Sequence, residues 1–215
     1  MKHILFAAAL LLSSLSAFAQ YELGTITIQP KVGMNVSSMN KLKNTSMRVG
    51  FTAGVEAEYQ AWDLVSLSVG AMYSQQGYRY NYKSSYNGEL MTDMSERYNM
   101  DYINIPILAN VYVADGLAVK AGIQPGFCVS HKYREKNNIT GRLQKGEVEG
   151  IDSKFDFSIP VGVSYELPIG ITFDARYNIG VTKVLRQQQE NGKYKVGYNS
   201  VFQLTIGYKF LSFNL

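Results

Sequence analysis

ITIQPKVGMNV, residues 26–36, alternates apolar with polar or small side chains without a break. Successive Cβ atoms of a strand point to opposite faces. Ile26, Ile28, Pro30, Val32, Met34 and Val36 therefore share one face, and Thr27, Gln29, Lys31, Gly33 and Asn35 share the other. The next segment repeats the pattern, with Val49, Phe51, Ala53, Val55, Ala57 and Tyr59 set against Gly50, Thr52, Gly54, Glu56 and Glu58. Six more segments follow, near 64–76, 98–113, 117–130, 154–166, 170–183 and 199–210. Through the middle of all eight, the apolar phase carries no charge. A soluble protein would place Lys and Glu on its outward face, so this face is expected to meet lipid. The reading is an all-β fold, an eight-stranded antiparallel up-and-down transmembrane β-barrel.

The connections agree with that plan. Ala61-Trp62-Asp63, Ala114-Asp115-Gly116 and Leu167-Pro168-Ile169-Gly170 are short, whereas 37–48, 77–97, 131–153 and 185–198 are long. Outer-membrane barrels pair short periplasmic turns with longer extracellular loops and an even strand count. A lipocalin-like soluble barrel would reverse the phase, apolar inward and charged outward.

Lys2, the apolar run Ile4 to Leu12 and Ala17-Phe18-Ala19 before Gln20 read as a secretory signal peptide over residues 1–19. Residues 20–215 then form one barrel domain, exported to the outer membrane of a Gram-negative envelope. No apolar stretch reaches the ~20 residues of a transmembrane helix. Cys128 is the sole cysteine, so no intramolecular disulfide can form; on the inward phase it reads as a small filler. The formal net charge of +4 is modest and gives no signal for nucleic acid. Sixteen Tyr and nineteen Gly suit interfacial girdles and crowded inward positions respectively.

The inward phase decides what the barrel can do. Near the periplasmic ends it carries Glu56, Glu58, Glu166 and Asp174 together with Lys31, Lys120, Arg176 and Lys209. Eight strands enclose a space that side chains fill, and desolvated charges persist only when paired. A packed ionic plug is expected, with a gated ion path as the sharper alternative. Gly162 on this phase is expected to tolerate Ser better than Val161 on the lipid phase tolerates Arg.

Three features complicate the pattern. Pro30, Pro106, Pro125 and Pro160 fall inside proposed strands, where a proline cannot donate to the ladder, so bulges or non-bonded positions are expected. Beyond Tyr73 the apolar residues change parity to Tyr78, Tyr80 and Tyr82, and Tyr98, Met100 and Tyr102 also leave the membrane phase. Either a bulge near Gly77 rotates the upper part, or this hairpin rises above the bilayer with a Tyr-rich face suited to glycan or peptide binding. Finally, Lys41, Lys43 and Arg48 make the first outer loop basic, and Arg186, Lys193 and Lys195 outweigh Glu190 in the last. Such loops neighbour lipopolysaccharide phosphates.

Catalysis finds little support. His131, the one histidine after the signal, follows Ser130 at the outer rim, with Asp152 and Asp156 further along. Adjacent residues on a strand face opposite ways, which is poor geometry for a dyad. A lone His and a lone Cys do not make a metal cluster, and no cofactor is implied.

The stretches IQPKVGMNVS (28–37), LVSLSVGAMYSQQGY (64–78), YINIPILANVYV (102–113), LAVKAGIQPGF (117–127), FDFSIPVGVSYEL (155–167), ITFDARYNIGV (171–181) and FQLTIGYKF (202–210) resemble the PorT-like outer-membrane β-barrel family of Bacteroidetes-type bacteria. The resemblance implies an outer-membrane barrel of about eight strands. Its name-giving member is linked to protein secretion, which makes envelope or secretion proteins candidate partners beside outer-membrane lipid and lipopolysaccharide. Such barrels commonly end on the aromatic residue of the last strand, here Phe210, yet five residues follow, among them Phe213.

Overall fold

The computed structural model describes residues 21–40, 45–86, 89–147, 153–188 and 194–214. The expected signal peptide and Lys41, Lys43, Asp152, Glu190 and Lys193 lie outside the described residues. Among the described residues there are twelve strands: β1 Thr25–Asn40, β2 Thr45–Ser46, β3 Arg48–Trp62, β4 Val65–Tyr86, β5 Glu89–Asn104, β6 Ile107–Ala114, β7 Leu117–Asn137, β8 Leu143–Glu147, β9 Phe155–Glu166, β10 Ile171–Gln188, β11 Tyr194–Tyr208 and β12 Phe210–Asn214. They build eight staves, with β5 and β6 forming one and β11 and β12 another. All neighbours are antiparallel, and β11 returns to β1 through a ladder from Lys31↔Gly207 to Asn40↔Tyr198, which closes the ring. The periplasmic turns tighten on Gly116 and Gly170, whose φ values of 70° and 82° favour glycine.

Register follows the apolar phase. Val32, Met34 and Val36 of β1 stand opposite Ala53, Phe51 and Val49 of β3, all on the outer face. Val32, Val55, Val163 and Leu204 are between 41 and 47 % exposed, whereas Thr52, Asn35 and Asn110 on the inner phase are wholly buried. An apolar exterior around a polar interior is the inverse of a soluble protein, and only lipid makes it favourable. Tyr59, Trp62, Tyr165 and Tyr208 stand exposed near the turn end of this band, where amphipathic rings suit the membrane–water boundary.

Each of the four prolines sits where a ladder is interrupted. Pro30 lies between the pairing of β1 with β12, ending at Ile28↔Phe210, and its pairing with β11, starting at Lys31↔Gly207. Pro106 occupies the break between β5 and β6, and Pro125 stands across from that break, between Asn104↔Gly126 and Ile107↔Ile123. Pro160 falls in the gap between Ala121↔Val161 and Gln124↔Ser158 on the β7 side. The missing N–H of proline thus falls where the ladder makes no demand on it. Residues 211–214 continue the last stave, because β12 pairs with β1, with Phe213 opposite Ile26.

The expected parity slip at Gly77 does not occur. The β4–β5 ladder runs in one register from Met72↔Asn104 to Ser84↔Thr92, so Tyr78 and Tyr80 stay on the inward phase with Tyr98 and Tyr102. The segments read as long loops, 77–97 and much of 131–153, are largely strand. Beyond Tyr73 and Ile103 the hairpin of β4 and β5 continues upward, joined by the upper part of β7 and by β8. Above the bilayer both faces of a sheet can be polar, so the lipid-facing signal that marked the other segments is absent there.

One bulge shapes this extension. Along β5 and β7 the register passes from Tyr102↔Cys128 to Asp101↔Ser130, leaving Val129 as the extra residue. Below it the odd residues of β7, such as Phe127, face out; above it the even residues Lys132, Arg134 and Lys136 do. A bulge re-aims every side chain beyond it.

Candidate functional site: the charged lumen

The eight charges expected inward near the periplasmic ends come together in that half of the barrel. Asp174 and Arg176, two residues apart on β10, project to the same face, as do Glu56 and Glu58 on β3. Arg176 grips Glu56 with both terminal nitrogens, Nη1 to Oε1 at 2.5 Å and Nη2 to Oε2 at 2.8 Å, and donates from Nη2 to Asp174 Oδ2 at 2.7 Å. Its Nε lies 2.6 Å from Asp174 Oδ1 as an electrostatic contact. Lys31 from β1 pairs with Glu56 and reaches Asp174 at 3.1 Å, and Lys120 from β7 meets Asp174 at 3.0 Å. Two carboxylates thus serve three cations.

A second group balances the first. Lys209, between β11 and β12, lies 3.0 Å from Glu58 and 2.8 Å from Glu166. Tyr112 donates to Glu58 at 2.6 Å, Ser66 to Glu58 at 2.5 Å and Tyr21 to Glu166 at 2.5 Å. One cation here serves two carboxylates, so the surplus charge of each group cancels that of the other. Tyr112 and Ser66 were not singled out from the sequence, although their inward parity was legible. Tyr21 precedes the first strand and carried no signal.

Glycines make room for the long cations. Gly162 of β9 stands opposite both Arg176 and Lys120. A Cβ there would lie 2.3 Å from Ala175 O and 3.0 Å from Arg176 Cγ. The expectation that Gly162→Ser would be milder than Val161→Arg therefore loses most of its margin: the neighbouring backbone and the arginine stem occupy that space.

Above the charges lies a layer of amides and hydroxyls. Asn35 donates to Ser74 at 2.7 Å, Gln124 to Ser158 at 3.2 Å, and Asn199 to Asp156 at 3.2 Å while also bonding Gln76. The gap between Gln76, Asp156 and Asn199 is too narrow to hold a water molecule. Higher still, Met39, Tyr78, Met100, Tyr102, Cys128 and Val184 form an apolar cluster inside the ring, with Tyr80 and Tyr98 against it. Tyr78 stacks on Tyr98, ring centroids 4.6 Å apart.

The Tyr-rich platform is accordingly not formed as expected. Tyr102 is 1 % and Tyr78 8 % exposed, Tyr80 and Tyr98 are half-buried, and Tyr82 alone of the five is exposed, at 45 %. The unbroken register keeps them on the inner phase. Arg48, assigned above to a basic outer loop, is also turned inward and donates to the Gln76 carbonyl. Arg186 and Lys195 lie within β10 and β11. Cys128 packs in the apolar cluster and contacts the Ser130 carbonyl. Ser130 and His131 point to opposite faces, opposite Asp101 and Met100 respectively, and Asp156 is held by Asn199. Among the described residues no three His, Cys, Asp or Glu side chains gather as a metal site.

The family model described as outer membrane protein beta-barrel domain matches residues 18–186. The chain belongs to that family. It is an integral protein of the outer membrane. The match ends within β10, and β11 and β12 complete the ring beyond it. Among solved structures, Ail of Yersinia pestis is similar at 11 % identity and a TM-score of 0.48, covering 88 % of this chain and 100 % of its own. Neisserial surface protein A is similar at 15 % identity and a TM-score of 0.40, covering 87 % and 99 %. No curated protein matches the chain in sequence.

Proposed function

We propose that this protein is a non-enzymatic outer-membrane barrel whose lumen is closed by its ionic plug and whose role, structural or interactive, is played at the cell surface. Within its family we assign it to the PorT-like members, on the strength of the stretches quoted above. We also read residues 1–19 as the cleaved export signal. The observation that carries the closed-lumen reading is the mutual pairing of four acids with four bases, each 7 % exposed or less at its side chain. Buried charges paired this completely have no partner left to offer a passing ion. The dense amide layer and apolar cluster above them support the same reading.

Reconstitution into planar bilayers tests it. The unmutated protein should show no large, steady conductance, while Arg176→Met leaks. A stable open pore in the unmutated protein would refute the plug and make a small-solute channel the better reading. Crosslinking in native membranes would capture envelope or secretion proteins if the surface serves them.

A further inference from the structure

The outward face of the extension carries a row of cations that the strand register places side by side. Arg79 of β4 stands opposite Arg97 of β5, Arg97 opposite Arg134 of β7, and Arg134 opposite Lys145 of β8. Neighbouring strands are about 4.8 Å apart, so four positive charges lie within about 15 Å. Like charges directly opposite each other destabilise a sheet. Among the described residues none of the four is in an ion pair. Of the acids in the same sheet, Glu96 and Glu135 stand opposite each other on the other face, Asp93 is occupied by Lys83 at 3.1 Å and Asn138 at 2.8 Å, and Asp101 and Glu147 share the row's face, Glu147 opposite Lys132, too few to balance its cations. Beside the row a cavity of about 310 Å³ is lined by Lys132, Arg134 and Lys145 with Asn99, Tyr133, Gly146 and Glu147. An arrangement that opposes like charges three times in a row, with Arg134 and Lys145 of that row lining a cavity, is built for an anion supplied from outside.

Position identifies the source of that anion. The row continues the phase that faces lipid below, so whatever covers it stands in the same leaflet beside the barrel. From Tyr73, the last outward apolar residue of β4, to Arg79 is six residues, about 15 Å of height for a strand tilted ~40°. A phospholipid headgroup layer is only about 5–7 Å deep, whereas a saccharide headgroup reaches further. We propose that Arg79, Arg97, Arg134 and Lys145 bind the phosphorylated saccharide of the glycolipid surrounding the barrel, one phosphate seated in the cavity beside Lys132. Arginine forks suit bidentate phosphate recognition. The proposal rests on the reading that the extension projects from the outer leaflet, but not on whether the lumen conducts.

Binding of purified lipopolysaccharide to the detergent-solubilised full-length barrel tests it, with heat-modified mobility reporting the fold of each variant. Arg97→Gln/Arg134→Gln should weaken binding by about tenfold or more, while Lys154→Gln/Lys183→Gln, at exposed rim cations outside the row, should leave it unchanged. Chemically dephosphorylated lipopolysaccharide should bind the unmutated protein as weakly as the intact form binds the double variant; this arm needs no mutant to fold. Equal affinity of the double variant and parent, or indifference to dephosphorylation, overturns the proposal. So does free dextran sulfate binding the parent as tightly as lipopolysaccharide, which would assign the row to a soluble polyanion. Failure of Tyr82→Cys, in a Cys128→Ala background, to label on intact cells would instead refute the orientation.

Discussion

Arg176 concentrates the energetics of the lumen in one side chain. It holds Glu56 by two hydrogen bonds and Asp174 by another, all three residues nearly inaccessible. Arg176→Met leaves those carboxylates with the two lysines alone, and breaking such a buried pair costs about 3–5 kcal/mol. Asp174→Asn added to it should recover part of the loss, because one of the stranded charges disappears. Urea titration of the refolded barrel in detergent measures both. An Arg176→Met midpoint equal to the parent's would mean the network contributes nothing to stability. Gly162→Ser belongs to the same account. Its Cβ must displace strand backbone beside Arg176, an overpacking expected to cost about 1–3 kcal/mol. Val161→Arg on the lipid face should cost about 2–4 kcal/mol. The two neighbours are thus comparably intolerant for unrelated reasons, and a Gly162→Ser midpoint equal to the parent's would contradict the crowding argument.

At the scale of elements, the bulge at Val129 sets which residues the upper part of β7 shows to the outside. In a Cys128→Ala background, Arg134→Cys should react readily on intact cells with a membrane-impermeant maleimide, and Tyr133→Cys slowly. Deleting Val129 moves the upper strand by one residue and should reverse that order. Unchanged reactivity after the deletion would show that the bulge does not control the phase. The prolines carry a related lesson. All four were recognisable as ladder interruptions, but which of the two ladders each one interrupts depends on the partner strand, and no local pattern reveals it.

The whole molecule is a closed ring, and a closed hydrogen-bonded ring resists detergent until heated. Folded protein should therefore run differently in SDS gels before and after boiling. Recovery of soluble, folded protein from the periplasm without detergent would contradict the membrane location. Among the described residues the same closure leaves no edge strand exposed to lipid, while β8 above the bilayer pairs with β7 alone.

Alternation alone determined the eight staves and the lipid-facing phase and put the eight charges of the ionic network on the opposite phase, because side-chain direction in a strand is a local property of period two; Arg48, also turned inward, read as part of a loop. Ile26 to Val36 already held that information. What joined Lys31 of β1 to Asp174 of β10, or cancelled a cation surplus in one group with an anion surplus in the next, was ring closure, which brings together residues more than a hundred positions apart. The tyrosines beyond Gly77 show the limit most clearly. Their parity was legible, yet whether it meant a slip or an inward apolar cluster depended on the register with β5. The cationic row was further out of reach, since it needs four strands aligned and one extra residue at Val129 to turn Lys132 and Arg134 outward. Pairing register is non-local, and one inserted residue in one strand reverses the face of everything beyond it.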